Sequence, residues 1–145
     1  MGHRSPAELY LWIWGAALVF LGVGSLVVHP DFAVGDRVTG VRFLGVETNG
    51  WHGVAGLASG ILALAYARSK RWAPTVAMVV GVVAGLVPGV VFVLSGDRSV
   101  AVGLIPVDMV DAVALHLVPG VIGVVCALAS ARPALRSTGS VAPAR

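Results

Sequence analysis

The chain has 145 residues, 57 % of them apolar and only 12 % charged, with a formal charge of +3. Its mean hydropathy is +0.91. That balance excludes an ordinary soluble domain and points to membrane spans in a single domain. The excess of basic residues does not indicate nucleic acid, because they flank the apolar runs as topology determinants do.

Met1 to Glu8 is a short polar lead. Leu9 to Val28 is an apolar run of about 20 residues, enough to cross roughly 30 Å of hydrocarbon. No small-residue cleavage signal follows it, so it reads as an uncleaved helix rather than a signal peptide. Trp12 and Trp14 stand near its start, where indole rings favour the membrane interface. His29 to Gly50 is a polar connection punctuated by Pro30, Gly35, Gly40 and Gly45. Within it Val38 to Val46 is expected to lie along the membrane surface, since Arg37, Arg42 and Glu47 accompany it.

A second span is expected over Trp51 to Ala67, short unless Asn49 and Gly50 begin the helix. The basic turn Arg68-Ser-Lys-Arg71 leads to Trp72 and to Pro74, which suits a helix's first turn. Ala73 to Leu94 forms the third span, with a kink expected near Ala84 to Pro88 because proline removes one backbone hydrogen bond. A second polar loop runs from Ser95 to Pro106. The fourth span is Val107 to Ala131, kinked at Pro119, and Arg132 to Arg145 reads as a disordered tail. The fold class is therefore all-α, with four transmembrane helices as two tandem helix–outer loop–helix units. The stretches Gly45–His52 and Gly103–Asp111 precede the second helix of each unit. Such repeats would be parallel, related by an axis along the membrane normal.

Of the ten Lys and Arg residues, Arg4, Arg68, Lys70, Arg71, Arg132, Arg136 and Arg145 fall on one side of this layout. Arg37, Arg42 and Arg98 fall on the other. The asymmetry assigns both termini to the cytoplasmic side of the cell membrane.

The strings His29-Pro-Asp-Phe32, Gly35-Asp36, Leu44-Gly45-Val46 and Asn49-Gly-Trp-His52 resemble a domain-of-unknown-function family of small four-helix membrane proteins common in actinobacteria. A second family-like patch is Pro106-Val-Asp-Met-Val-Asp111 followed by Leu115-His116-Leu117. The resemblance covers Leu9 to Ser130 and implies no known reaction. The chain departs from the family's pattern at Gly56, where a second histidine is usual, and in placing Asp111 and His116 five apart rather than four.

Asn49, His52, Asp108, Asp111 and His116 make a candidate polar cluster on the outer side. Ionisable residues at membrane depth are costly and mark ion or substrate paths, and imidazole with carboxylate can relay protons or bind a metal. The architectural reading is that Asn49 and Asp108 cap helices while the histidines bond neighbouring segments. On a regular helix Asp111 and His116 do not share a face. The glycines Gly56 and Gly60, and Gly81, Gly85 and Gly89, form small-residue stripes for helix packing, within the bundle or against a partner. Cys126 lies in an apolar run and reads as inert. No catalytic, cofactor or metal motif stands out. The leading expectation is a non-enzymatic accessory or structural subunit, in contact with lipid and with other membrane subunits or copies of itself. The alternative is a small oligomeric transporter or proton-handling protein built on the His/Asp cluster.

Overall fold

The computed structural model describes residues 3–95, 100–101, 103–106 and 109–137. Four helical rods dominate it, and a small β-hairpin precedes the second and the fourth. Helix α1 is Pro6–Val28. It starts three residues before the apolar run because Ser5 caps it: the Ser5 hydroxyl accepts the Glu8 N–H and the Glu8 carboxylate accepts the Ser5 N–H at 2.7 Å. A further donor of the first turn, the Ala7 N–H, bonds Ser130 Oγ at 3.0 Å and so ties α1 to the last rod.

Strands β1 (Val41–Phe43) and β2 (Val46–Thr48) pair antiparallel, with Arg42 opposite Glu47. Leu44 and Gly45, both at positive φ (53° and 88°), make the two-residue turn that suits the twist of such a hairpin. The segment expected to lie along the membrane is thus folded back on itself. The structure is mostly helical, as expected; three-residue strands give almost no periodic signal, and this hairpin and β3 (Val100–Ala101) with β4 (Ile105–Pro106) are additions to it.

Helix α2 is Gly50–Tyr66, with Asn49 as its N-cap. Rod α3 joins Ala73–Val79, a π-helical segment Val80–Leu86, and Val87–Ser95. Rod α4 joins Met109–Asp111, a π-helical segment Ala112–Leu117, and Val118–Ser137. Each π segment ends shortly before a proline, Pro88 or Pro119. Proline has no N–H for the carbonyl four residues back, and the chain answers with wider i→i−5 turns, such as Val87 N–H to Val82 C=O. The expected kinks take this form. The last rod continues to Ser137, past Arg132, where a disordered tail was expected to begin; residues 138–145 lie outside the described set.

The rods pack through glycine. A Cβ added to Gly60 would stand 2.7 Å from the Val19 backbone nitrogen, and one on Gly85 would stand 2.5 Å from the Gly120 Cα. Gly81 and Gly89 make equally close approaches to Gly120–Val124 and Leu117. These stripes are spent inside the bundle, α2 on α1 and α3 on α4. Gly56 is the exception, its nearest foreign atom 3.5 Å away.

Small side chains fill the core at the end that carries Ala7, Leu11, Ala63, Ala73 and Ala77, and Phe92 with Ala112 fills a second core near the hairpins. Large apolar residues such as Phe20, Leu94 and Val125 face outward. Three rods, Pro6–Val28, Ala73–Leu94 and Met109–Ala131, are long and apolar enough to cross a membrane. Together with the apolar outer surface this marks a membrane protein.

Candidate functional site

The polar residues converge at the hairpin end. Asn49 is fully buried, and its side chain joins two elements. Its Oδ1 accepts the His52 N–H at 3.0 Å, capping α2, and its Nδ2 donates to the Leu104 carbonyl at 2.7 Å. Gly50 lets the chain pass close to the 31–32 segment, its N–H bonding the Asp31 carbonyl at 2.8 Å where a Cβ would strike that same oxygen. Trp51 packs edge-on against Phe32, ring centroids 5.2 Å apart. Each member of Asn-Gly-Trp-His therefore has a separate structural task.

His52 Nδ1–H donates to the Glu47 carbonyl at 3.2 Å. His116, on the π segment of α4, donates Nδ1–H to the Ala84 carbonyl at 2.9 Å. That carbonyl is the one for which Pro88 supplies no amide, so the proline of α3 creates the acceptor that orients a histidine of α4. The two imidazoles lie nearly parallel, 21° between planes and 5.8 Å between centroids, and Phe92 stands edge-on to His116 at 5.0 Å.

A carbonyl oxygen only accepts, so both rings carry their proton on Nδ1 in the neutral state and present Nε2 as a lone pair. His116 Nε2 is buried and bonds nothing among the described residues. A cavity of about 310 Å³ borders this pair, walled by Leu18, Ala55, Gly56, Val83, Pro88 and Ile105. Gly56, loosely packed, leaves this space open, since a second and narrower pocket toward Ser25 and Leu21 meets it at the same glycine.

Asp111 Oδ2 accepts the Glu47 N–H at 2.8 Å. Thus the main chain of Glu47 touches Asp111 through its nitrogen and His52 through its oxygen. Asp111 and His116 were expected on different faces. The five-residue step between them runs through the wider π turns, and both side chains meet the β2–α2 junction, Asp111 at Glu47 and His116 against His52. Four of the five candidate residues are thereby gathered in one region; Asp108 lies outside the described residues. No group of three or more His, Cys, Asp or Glu side chains able to hold a metal occurs among the described residues.

Sequence reasoning missed Ser25 and Thr48. The fully buried Thr48 hydroxyl donates to Ser25 Oγ at 2.7 Å, and Ser25 donates to the Leu21 carbonyl at 2.7 Å. A serine inside an apolar helix and a threonine beside a cap were the available signals. It also missed the network of the loop between α1 and α2, where Thr39 donates to Asp31 Oδ2 at 2.5 Å and bonds His29 Nε2 at 3.0 Å. The Thr39 hydroxyl, and then the Ala33 N–H, hold the Asp31 carboxyl below its ordinary pKa.

No curated protein and no solved structure matches the chain. Its residues 9–129, which take in most of the helical rods and the whole His52–His116 site, match the family model described as a domain of unknown function, DUF4383, and the chain belongs to that family.

Proposed function

We propose that the chain is a four-helix integral membrane protein that handles a proton, or a small solute offering a hydrogen-bond donor, at the His52–His116 pair. The observation that carries this reading is the buried, unpartnered Nε2 lone pair of His116 beside a cavity of about 310 Å³. Both Nδ1 protons are committed to backbone carbonyls, so the free nitrogens are left to receive. Ionisable side chains at membrane depth mark such paths.

The fourth span in this reading is α2, whose 17 residues are extended by the buried Asn49 cap. The hairpin that precedes the second rod of each pair supports two tandem units. The excess of Lys and Arg at the other end supports cytoplasmic termini and an outward-facing histidine pair. Four helices leave little room for a gated path in one copy, so the working unit is a homo-oligomer. The test is proton or solute flux in proteoliposomes. His116→Ala and His52→Ala are expected to lower it about tenfold or more while the helical fold and melting temperature survive. Unchanged flux in both variants sinks the proposal.

A second reading, a non-enzymatic accessory subunit of a larger membrane complex, draws on the exposed apolar face that includes Ile13, Phe20 and Val27. It requires a stoichiometric partner on purification in mild detergent, and a chain that elutes alone or only with its own copies counts against it.

A further inference from the structure

A second concavity lies away from the histidines. Between the first half of α1 and the middle of α4 runs a groove of about 600 Å³. Its walls are apolar, with Leu9, Ile13, Trp14, Val118, Pro119 and Ile122 prominent among them, and Arg4 stands at one end. Along α1 the groove extends from Pro6 to Trp14, about 12 Å at 1.5 Å per residue, with Arg4 just before the helix. That is less than half the roughly 30 Å hydrocarbon thickness, so the groove fits within one leaflet.

Two features inside this length ask for a polar partner. The Arg4 guanidinium lies 5.5 Å from the centre of the Trp12 ring, and that of Arg68 lies 5.3 Å from the same centre. Neither cation pairs with a carboxylate among the described residues, and the nearby acid Glu8 is engaged in the helix cap. Arg4 lines the mouth of the groove and Arg68 stands beside it on Trp12, so an anion at the mouth gains charge-assisted hydrogen bonds. Deeper in the groove, Tyr10 is 7 % exposed and its hydroxyl bonds nothing among the described residues. Gly123 makes the space for that ring: a Cβ there would fall 2.7 Å from the hydroxyl oxygen. Tyr10 lies on the second turn of α1, deeper than Arg4, which precedes the helix. A buried phenol needs an acceptor, and the ester carbonyls of a phospholipid lie on the inner side of its phosphate.

We infer that this groove is a binding site for one anionic phospholipid of the leaflet on the side of the chain termini. Its phosphate rests at Arg4 and Arg68, an ester carbonyl accepts the Tyr10 hydroxyl, and one acyl chain lies along the wall of Ile13, Val118 and Ile122. The charge at the mouth selects against a neutral isoprenoid or quinone, which would fill the apolar wall and leave both guanidiniums without an anion. The site shares no residue with the histidine pair, so the two proposals stand or fall separately.

The test uses the full-length chain, purified in mild detergent and read by native mass spectrometry and thermal melting, with phosphatidylglycerol and phosphatidylcholine added in turn. One phosphatidylglycerol is expected to be retained per chain and to raise the melting temperature, with phosphatidylcholine bound at least about tenfold more weakly. The double variant Arg4→Gln with Arg68→Gln is expected to erase that preference. Tyr10→Phe, which keeps the ring, is expected to weaken retention about threefold to tenfold. Ile122→Trp fills the groove without touching charge, and expels the lipid even where the charge variants fold poorly. Equal retention of the two lipids overturns the inference. So does phosphatidylglycerol binding that survives Ile122→Trp, or co-purification of a neutral isoprenoid in place of phospholipid.

Discussion

The pair α1 with α2 and the pair α3 with α4 are closed by the same device and differ in what they do with proline. In both, glycine brings two helix backbones within reach of each other, at Gly60 on Val19 and at Gly85 on Gly120. The α1–α2 pair is regular α-helix along its seam. In the α3–α4 pair each rod carries a π segment ahead of a proline, and His116 sits on one of them while the Ala84 carbonyl that orients it sits on the other. Close packing needs only small residues. A buried histidine needs a backbone group to hold it, and proline leaves one without its helical amide.

The seams are the place where the largest change is expected. Gly85→Leu drives a side chain into the Gly120 backbone, which cannot retreat without separating the rods, and a loss of about 3 kcal/mol or more is expected, seen as aggregation or a collapsed melting temperature in detergent. Gly56→Ala meets nothing closer than 3.5 Å and is expected to change stability by less than about 0.5 kcal/mol while shrinking the cavity beside His52. Equal damage from the two would erase the distinction between seam and cavity glycines.

Asn49→Ala comes next. It removes the α2 cap and strands the Leu104 carbonyl, and a destabilisation of about 2–3 kcal/mol is expected. Asn49→Ser keeps a capping oxygen and loses the donor to Leu104, so a smaller loss in denaturant or thermal unfolding separates the two tasks. Pro88→Ala tests the proline argument itself. The new amide is expected to claim the Ala84 carbonyl, stabilise α3 by about 1–2 kcal/mol net of the lost histidine bond, and release the His116 ring. Hydrogen exchange at position 88 reads the first effect, and a shifted His116 imidazole signal in NMR reads the last. An unprotected amide at 88 with an unmoved His116 would show that proline does not create the acceptor.

The smallest effect is expected in the loop between α1 and α2. Asp31 titrates below its ordinary 3.8 when folded, because Thr39 and the Ala33 amide bond its charged form. Its contribution to stability is therefore complete above pH 3.8 and is lost as pH falls through the lower folded value. Thr39→Val is expected to return the Asp31 midpoint toward 3.8, measured on its carboxyl carbon by NMR, and to remove most of that pH dependence.

The helical rods were legible because hydropathy over about twenty residues is a strong signal. The Asn49 cap and both prolines were legible as single residues with fixed physical consequences. The Ser5-x-x-Glu8 box was equally readable, yet an apolar run starting at Leu9 drew the boundary too late. The hairpins were not legible, since strands of two or three residues have no period to detect. The glycine stripes announced close packing and left the partner undecided. The site was only half visible: its residues could be named, but the meeting of His52 with His116 depends on a π register that no residue pattern announces.

The main chain of Glu47 donates its N–H to the Asp111 carboxylate and accepts from the His52 imidazole, so at this joint the first half of the chain meets the second through a main-chain atom. Substitution scanning reports on side chains and will therefore score position 47 as permissive to almost any residue. At position 47 proline alone, which deletes the N–H, exposes the joint. The contact is one to which mutagenesis at position 47 is nearly blind, while substitution of Asp111 reads it from the other side.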